Sequence, residues 1–273
     1  MKLGIINSAF GQAGVDTATG LQHIARIGFD CVDIFTEAMK LSLQEKRTIA
    51  RTCEKENLPI VSLPVVATGL IDFNDPVRDF HVARCKAFLD LAAELGARNI
   101  VLVLGEYLWQ REVISPKDQW RWALEACRIL GDYSEQKKVD IALELEPFRL
   151  SLLNNVDEML RFVDECAHAR VRANIDVSHL VLSDCGPDSV LRLKNKAIHV
   201  HISDCDGKVH GDLPPGRGMV KFSPYLQAIK ELQMEGAISI ELEYSPDPAR
   251  IVEWVEEAYR ETDRLMRLKG LRG

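Results

Sequence analysis

The sequence predicts a (β/α)8 barrel, and three observations predict it. Short apolar runs alternate with amphipathic helical stretches from one end of the chain to the other. There are eight such runs, and their starts fall 28, 29, 39, 40, 32, 26 and 40 residues apart, room each time for a strand, a crossover helix and two loops. The length, 273 residues, suits one α/β barrel, which commonly takes roughly 250 residues. No linker-like, low-complexity or single-sign segment interrupts the rhythm, so residues 1–273 read as a single domain. A doubly wound open sheet ranks second. Its nucleotide signature is missing, because Gly11 and Gly14 in the first loop, Asn7–Thr19, do not follow G-x-G-x-x-G spacing.

In chain order the runs are Leu3–Asn7, Cys31–Phe35, Ile60–Val65, Asn99–Leu104, Val139–Leu145, Val171–Val177, Ala197–Ile202 and Ala237–Leu242. Between them, Asp75-Pro76, Ser115-Pro116, Ser223-Pro224 and Asp247-Pro248 read as helix starts. A side-chain oxygen there takes an orphan amide proton, and proline suits the first helical position, whose N–H has no partner. Ser42 with Glu45, and Asn155 with Glu158, have capping-box spacing. Gly28, Gly96 and Gly236 stand where helices should end. In the helix expected over Val77–Leu95, the residues Phe80, Ala83, Ala87, Leu91 and Leu95 form an apolar stripe.

Composition narrows the function. Hydrophobic residues make up 47% and charged residues 27%, which excludes global disorder. A net charge of −7 supplies no positive field for nucleic acid or an anionic membrane surface. No apolar run approaches the roughly 20 residues that span a bilayer, and the start lacks the apolar stretch of a signal peptide. Seven scattered cysteines with no Cys-x-x-Cys pair argue against a disulfide framework and for a reducing cytoplasm. A homo-oligomer is compatible with all of this.

The last four runs carry the chemistry. Alternate side chains of a barrel strand face the helix layer and the barrel interior. With Ile141, Leu143 and Leu145 facing outward, Ala142, Glu144 and Glu146 face inward. The same parity turns Asn174, Asp176 and Ser178 inward, then His199, His201 and Ser203, then Ser239, Glu241 and Glu243. Four successive strands thus aim carboxylates and imidazoles at one axis near their C-terminal ends. Burying such a group without compensation is too costly, so a cation or a strong rearrangement of protons is required. One divalent metal held by Glu144, Asp176, His201 and Glu241 meets the requirement. Three carboxylates and one imidazole favour Mn2+ or Mg2+, with Co2+ and Zn2+ as alternatives. Glu146 and Glu243, two residues further on, are expected at the rim, and His199 one layer deeper.

The second half of the chain resembles the xylose-isomerase-like superfamily of sugar isomerases and epimerases, which includes ketose 3-epimerases and hydroxypyruvate isomerases. The resemblance rests on LELEPF, IDVSHL, HVHISD, PPGRG and SIELEY; the first half fits in rhythm, through MKLGIINSAF and GFDCVDIF. It implies that Glu144, Asp176, His201 and Glu241 bind one divalent cation and that His179 and Arg217 touch substrate. It also implies an enediolate chemistry in which Glu144 and Glu241 remove and return a proton α to a carbonyl, on a keto-sugar or related polyol. Where ketose 3-epimerases carry an Asn-Arg pair after the first Glu, this chain has Glu146-Pro147-Phe148-Arg149, a departure that argues against a free ketohexose. His179 reads equally as a turn cap, and Arg217 as an exposed loop residue. Trp109 and Phe10, in loops at the expected mouth, read as pocket wall, and Trp120 and Trp122 as helix packing.

Three rivals follow. A metal-dependent dehydratase or β-eliminase, acting on a keto-inositol, dehydroshikimate-like acid or 3-keto-glycoside, starts from the same proton abstraction. An endonuclease IV-like hydrolase needs histidines on the third and fourth strands, where SLPVVATGL and NIVLVLGEYLW have none. A sugar-binding barrel without catalysis is the third.

Overall fold

A computed structural model describes residues 1–105 and 112–273. Eight parallel strands pair in chain order and the last pairs with the first, closing a barrel: β1 (Lys2–Ile6), β2 (Cys31–Asp33), β3 (Ile60–Val66), β4 (Asn99–Val103), β5 (Asp140–Leu143), β6 (Val171–Asp176), β7 (Ala197–Ile202) and β8 (Ala237–Ile240). Every expected run is a strand, so the (β/α)8 reading holds. Outward-facing residues such as Leu3, Leu63, Ile141, Val200 and Ile238 join one apolar core shared with the helix layer. That layer comprises α1 (Ser8–Gln12), α2 (Thr17–Ile27), α3 (Leu43–Lys55), α4 (Asp75–Leu95), α5 (Pro116–Lys137), α6 (Val156–Cys166), α7 (Val177–Leu182), α8 (Pro187–Leu191), α9 (Phe222–Leu232) and α10 (Ile251–Leu268).

Local chemistry explains several boundaries. Ser42 and Glu45 form the reciprocal capping box at α3, and Asn155 accepts from the Glu158 amide to start α6. Gly28 and Gly96 end α2 and α4 in the left-handed region, at φ 110° and 73°. Gly236 does not end α9, because Gln233 takes the left-handed position first, at φ 55°. Neither Ser115 nor Asp247 makes a side-chain cap bond, and Asn74 and Lys221, rather than Asp75 and Ser223, precede α4 and α9. After Asn74, Ser115 and Asp247, where proline stands at one of the first two helical positions, it fixes the start more than the capping oxygen does.

The α4 stripe needs correction. Phe80 is 52% exposed, whereas Cys85, Phe88, Leu89, Leu91 and Ala92 are buried. The helix offers two apolar faces, and packing selects the one that removes more area from water. All seven cysteines are free and six are buried, in line with the absence of a disulfide framework. Among the described residues no helix is long and apolar enough to cross a membrane.

Candidate active site

Strand ends place the key side chains. Glu144 and Glu241 each follow the last residue of a strand, β5 and β8, and their amides still donate along the barrel, to Leu102 O at 3.0 Å and Ile202 O at 3.1 Å. Asp176 closes β6 and caps α7: its Oδ1 accepts from the His179 amide and from Ser178 Oγ, both at 2.8 Å. His201 sits one residue before the end of β7, in register with Asp176. The inward parity expected of these strands is the one observed.

Two of the carboxylates face one nitrogen of the imidazole. His201 Nδ1 lies 3.5 Å from Glu144 Oε2 and 3.4 Å from Glu241 Oε2. Glu144, Asp176 and His201 each bring a ligand atom within 4.8 Å of the others. Asn174, two residues before Asp176, donates from Nδ2 to both oxygens of Glu144, at 3.0 and 2.8 Å, and clamps that carboxylate. Glu144, Asp176 and His201 are buried, whereas 20% of the Glu241 side chain remains exposed.

Among Glu144, Asp176, His201 and Glu241, two buried atoms lack a hydrogen-bond partner, His201 Nδ1 and Asp176 Oδ2. An unpaired buried polar atom costs about 1–3 kcal/mol, and two converging on one spot with carboxylates around them fit a cation. The electrostatics agree. Burial opposes a charged His201, but Asp33, Glu144 and Glu241 outweigh it and hold the imidazole well above its ordinary range. Burial likewise opposes an ionised Asp176, yet His179 and His201 bring its carboxyl down. The surplus of negative charge that draws protons to the imidazoles is the charge a metal ion would neutralise.

A second cluster lies beside the first. His179 Nδ1 is 2.6 Å from Leu145 O, and its Nε2 meets Nε2 of His210 from the loop after β7. Glu146 completes a group of three potential ligands with these two histidines. Against burial, the carboxylates of Asp176, Glu146, Glu144 and Glu241 push His179 up to about 10. Glu146 is buried rather than at the rim, where His210, in the loop after β7, lies beside it and 6.1 Å from the Phe148 ring of its own loop. Asp212, in the same loop, accepts from Ser203 Oγ at 3.0 Å; burial first, then the Glu241 charge, pushes its carboxyl up to about 9.

Arg217 is placed elsewhere. Its guanidinium forms two bonds to Glu257 on α10, at 2.6 and 2.7 Å, and lies 4.2 Å over the Trp254 ring. Asp204 dictates that direction, since its carboxylate accepts from the amides of Cys205, Gly216, Gly218 and Val220 and ties down the glycine loop. Phe10 is likewise no pocket wall: it is buried and stacks on His23 at 5.7 Å. Trp120 packs edge-on against Phe162, and Arg78 covers Trp122, as expected of helix packing. Trp109 lies outside the described residues. Glu243 accepts from Gln12 at 3.2 Å, a contact at the mouth.

Residues that sequence reasoning missed are Asn174, His210, Asp212 and, above all, Asp33. Asp33 ends β2, and its Oδ2 lies 2.8 Å from His199 Nε2 and 3.2 Å from His201 Nε2. Its one sequence signal is an acid inside the apolar run CVDIF.

Residues 21–267 match the xylose isomerase-like TIM barrel family. The chain belongs to that family. A D-psicose 3-epimerase of Ruminiclostridium cellulolyticum is 22% identical over 228 residues, covering 81% of this chain and 76% of its own. An inosose dehydratase of Clostridium beijerinckii is 24% identical over 200 residues, covering 63% of this chain and 66% of its own. Among solved structures, the IOLI protein with a bound zinc atom superposes with a TM-score of 0.84 at 17% identity, over 97% of this chain and 98% of that one.

Proposed function

We propose that this protein is a divalent-metal-dependent epimerase or isomerase that moves a proton α to the carbonyl of a keto-sugar or related polyol. The observation that carries the reading is the convergence of Glu144, Asp176, Glu241 and an unpartnered, buried His201 Nδ1 at the C-terminal mouth of the barrel. Those four residues would hold one ion. Bound there, a divalent cation supplies Lewis acidity to a ketone oxygen and its neighbouring hydroxyl and so acidifies the C–H they share. Three carboxylates and one imidazole suit Mn2+ or Mg2+, and the zinc in the IOLI structure keeps Zn2+ and Co2+ among the ions to be tested.

The chain's own residues then handle the proton. Glu144 and Glu241 come from β5 and β8, on either side of His201. Glu144, held by Asn174, takes or gives the proton from a fixed position; the more exposed Glu241 does so from the other side. His179 is the substrate-facing candidate that keeps its place beside the cluster, 3.7 Å from Glu144, provided that the substrate displaces His210 from its Nε2. Arg217 has no such place unless it first leaves Glu257.

The inosose dehydratase relative supports a second reading, a lyase in which the same abstraction is followed by loss of a β-substituent. One experiment covers both. Metal analysis of the purified protein should find one divalent ion per chain, and incubation with keto-sugars in D2O should place deuterium at the α-carbon. An enone absorbance growing in step with the exchange selects the lyase; exchange without it selects the epimerase. A protein that takes up no divalent ion and exchanges no C–H overturns both.

A further inference from the structure

Asp33 stands three strands around the barrel from His201, yet it is the group that His201 leans on. Asp33 is fully buried, and both oxygens are engaged: Oδ1 accepts from Ser239 Oγ at 3.0 Å, and Oδ2 serves His199 and His201 together. The intervening strand makes way for this. Gly4 of β1 pairs with Cys31 on one side and Ser239 on the other, and a Cβ at Gly4 would lie 2.7 Å from Ser239 Oγ. The strand between β2 and β8 therefore carries no side chain at the point where Ser239 reaches Asp33.

We infer that Asp33 is a positioning residue that, by holding the Nε2 proton of His201, leaves Nδ1 as the lone pair offered to a cation among the carboxylates. The inference rests on the metal reading above. A neutral imidazole carries one N–H, and the atom that accepts it decides which nitrogen is left to bind a cation. In His201 both nitrogens face carboxylates: Asp33 behind the ring, Glu144 and Glu241 in front. Remove Asp33, and the proton settles on Nδ1 against Glu144 or Glu241, where it blocks the ligand atom. With Asp33 in place the proton stays on Nε2. A full carboxylate also makes the ring a stronger donor than an amide or water behind it would. His199, donating to the same oxygen at 2.8 Å, fixes the carboxylate so that it cannot turn away.

The test is Mn2+ titration by calorimetry of the chelator-stripped full-length protein. Asp33→Ala should bind Mn2+ about 100-fold more weakly and Asp33→Asn, which keeps an acceptor and the shape but not the charge, about 10-fold more weakly. Ser239→Ala, which touches the other oxygen, should change affinity far less than either. Nitrogen-resolved NMR of the Zn2+-loaded protein reads the tautomer directly: Nε2–H on His201 in the wild type and in Asp33→Asn, and Nδ1–H in Asp33→Ala. A merely structural role would lower the melting temperature and leave both readouts alone. An Asp33→Asn protein that melts cooperatively and binds Mn2+ as the wild type does overturns the inference, whether or not Asp33→Ala folds. A wild type that takes up no metal overturns the reading of the site itself, and with it this proposal.

Discussion

The halves β1–β4 and β5–β8 share a backbone plan and differ in what they turn toward the barrel axis. β5–β8 and the residues just beyond them bring Glu144, Asp176, His201 and Glu241 to one place, with Asn174 and His199 beneath. From β1–β4 the one buried carboxylate among the described residues is Asp33, and its hydrogen bonds are spent on supporting His201, His199 and Ser239 from the rear. The rest of that half turns uncharged residues such as Ser62, Asn99 and Val101 toward the axis, while Leu63, Val65, Ile100 and Leu102 face the helix layer. The difference teaches that a closed barrel can separate stability from chemistry by strand. The half without the acidic cluster supplies core and one brace, and the other half gathers its buried charge around the imidazole that this brace holds.

The sharpest way to break this comparison is to neutralise the acids of the β5–β8 half. Glu144→Gln and Glu241→Gln should each slow substrate C–H exchange with D2O by about 10²–10⁴-fold, read by NMR, while the fold persists. If either keeps the native rate, the division of roles between the two glutamates fails. The converse substitution lies in the other half: Leu63→Ala should cost about 2–5 kcal/mol in urea unfolding, because Leu63 is fully buried, and should leave Mn2+ affinity unchanged in the folded protein. An affinity that fell with it would show that the halves are not separable.

A pH series sharpens the same point. Asp212 has a folded value of about 9 against an ordinary 3.8, so the folded state holds a proton that the unfolded chain releases. Its contribution to stability is fully present below the unfolded value and is lost as pH rises through the folded one. Asp212→Asn cannot ionise; in chelator-treated protein its stability relative to wild type should therefore rise between pH 4 and 9, in denaturant melts at fixed intervals. A flat difference across that window would mean that the Asp212 carboxyl is not neutral when buried. The smallest effect belongs to Arg217→Ala, which should leave turnover unchanged and cost at most about 1 kcal/mol, since it deletes a half-exposed ion pair with Glu257.

Legibility followed the same division. Glu144, Asp176, His201 and Glu241 could be found because each interrupts an apolar run at the same parity and depth, and a period of two is a local property of a strand. Asp33 could not be found that way. β2 is three residues long and holds one acid, so no period marks it, and the partner that gives it meaning, His201, is 168 residues away in the chain. Arg217 misled for a related reason: its motif is local, but its direction is set by Asp204 across the loop and by Glu257, 40 residues on. Phe80 misled because a helix with two apolar faces does not say which one the barrel will cover.

Alternation of apolar and polar residues acts over a few positions and survives without knowledge of neighbours, so the chain alone was enough to read the barrel, the order of its strands and the acids and imidazole that converge at its mouth. Only the tertiary structure decided which groups stand behind that set, where the glycine loop points its arginine, and that His179 faces His210. Those are contacts between segments far apart in the chain, chosen by closure of the barrel and by the cost of leaving a buried polar atom unpaired.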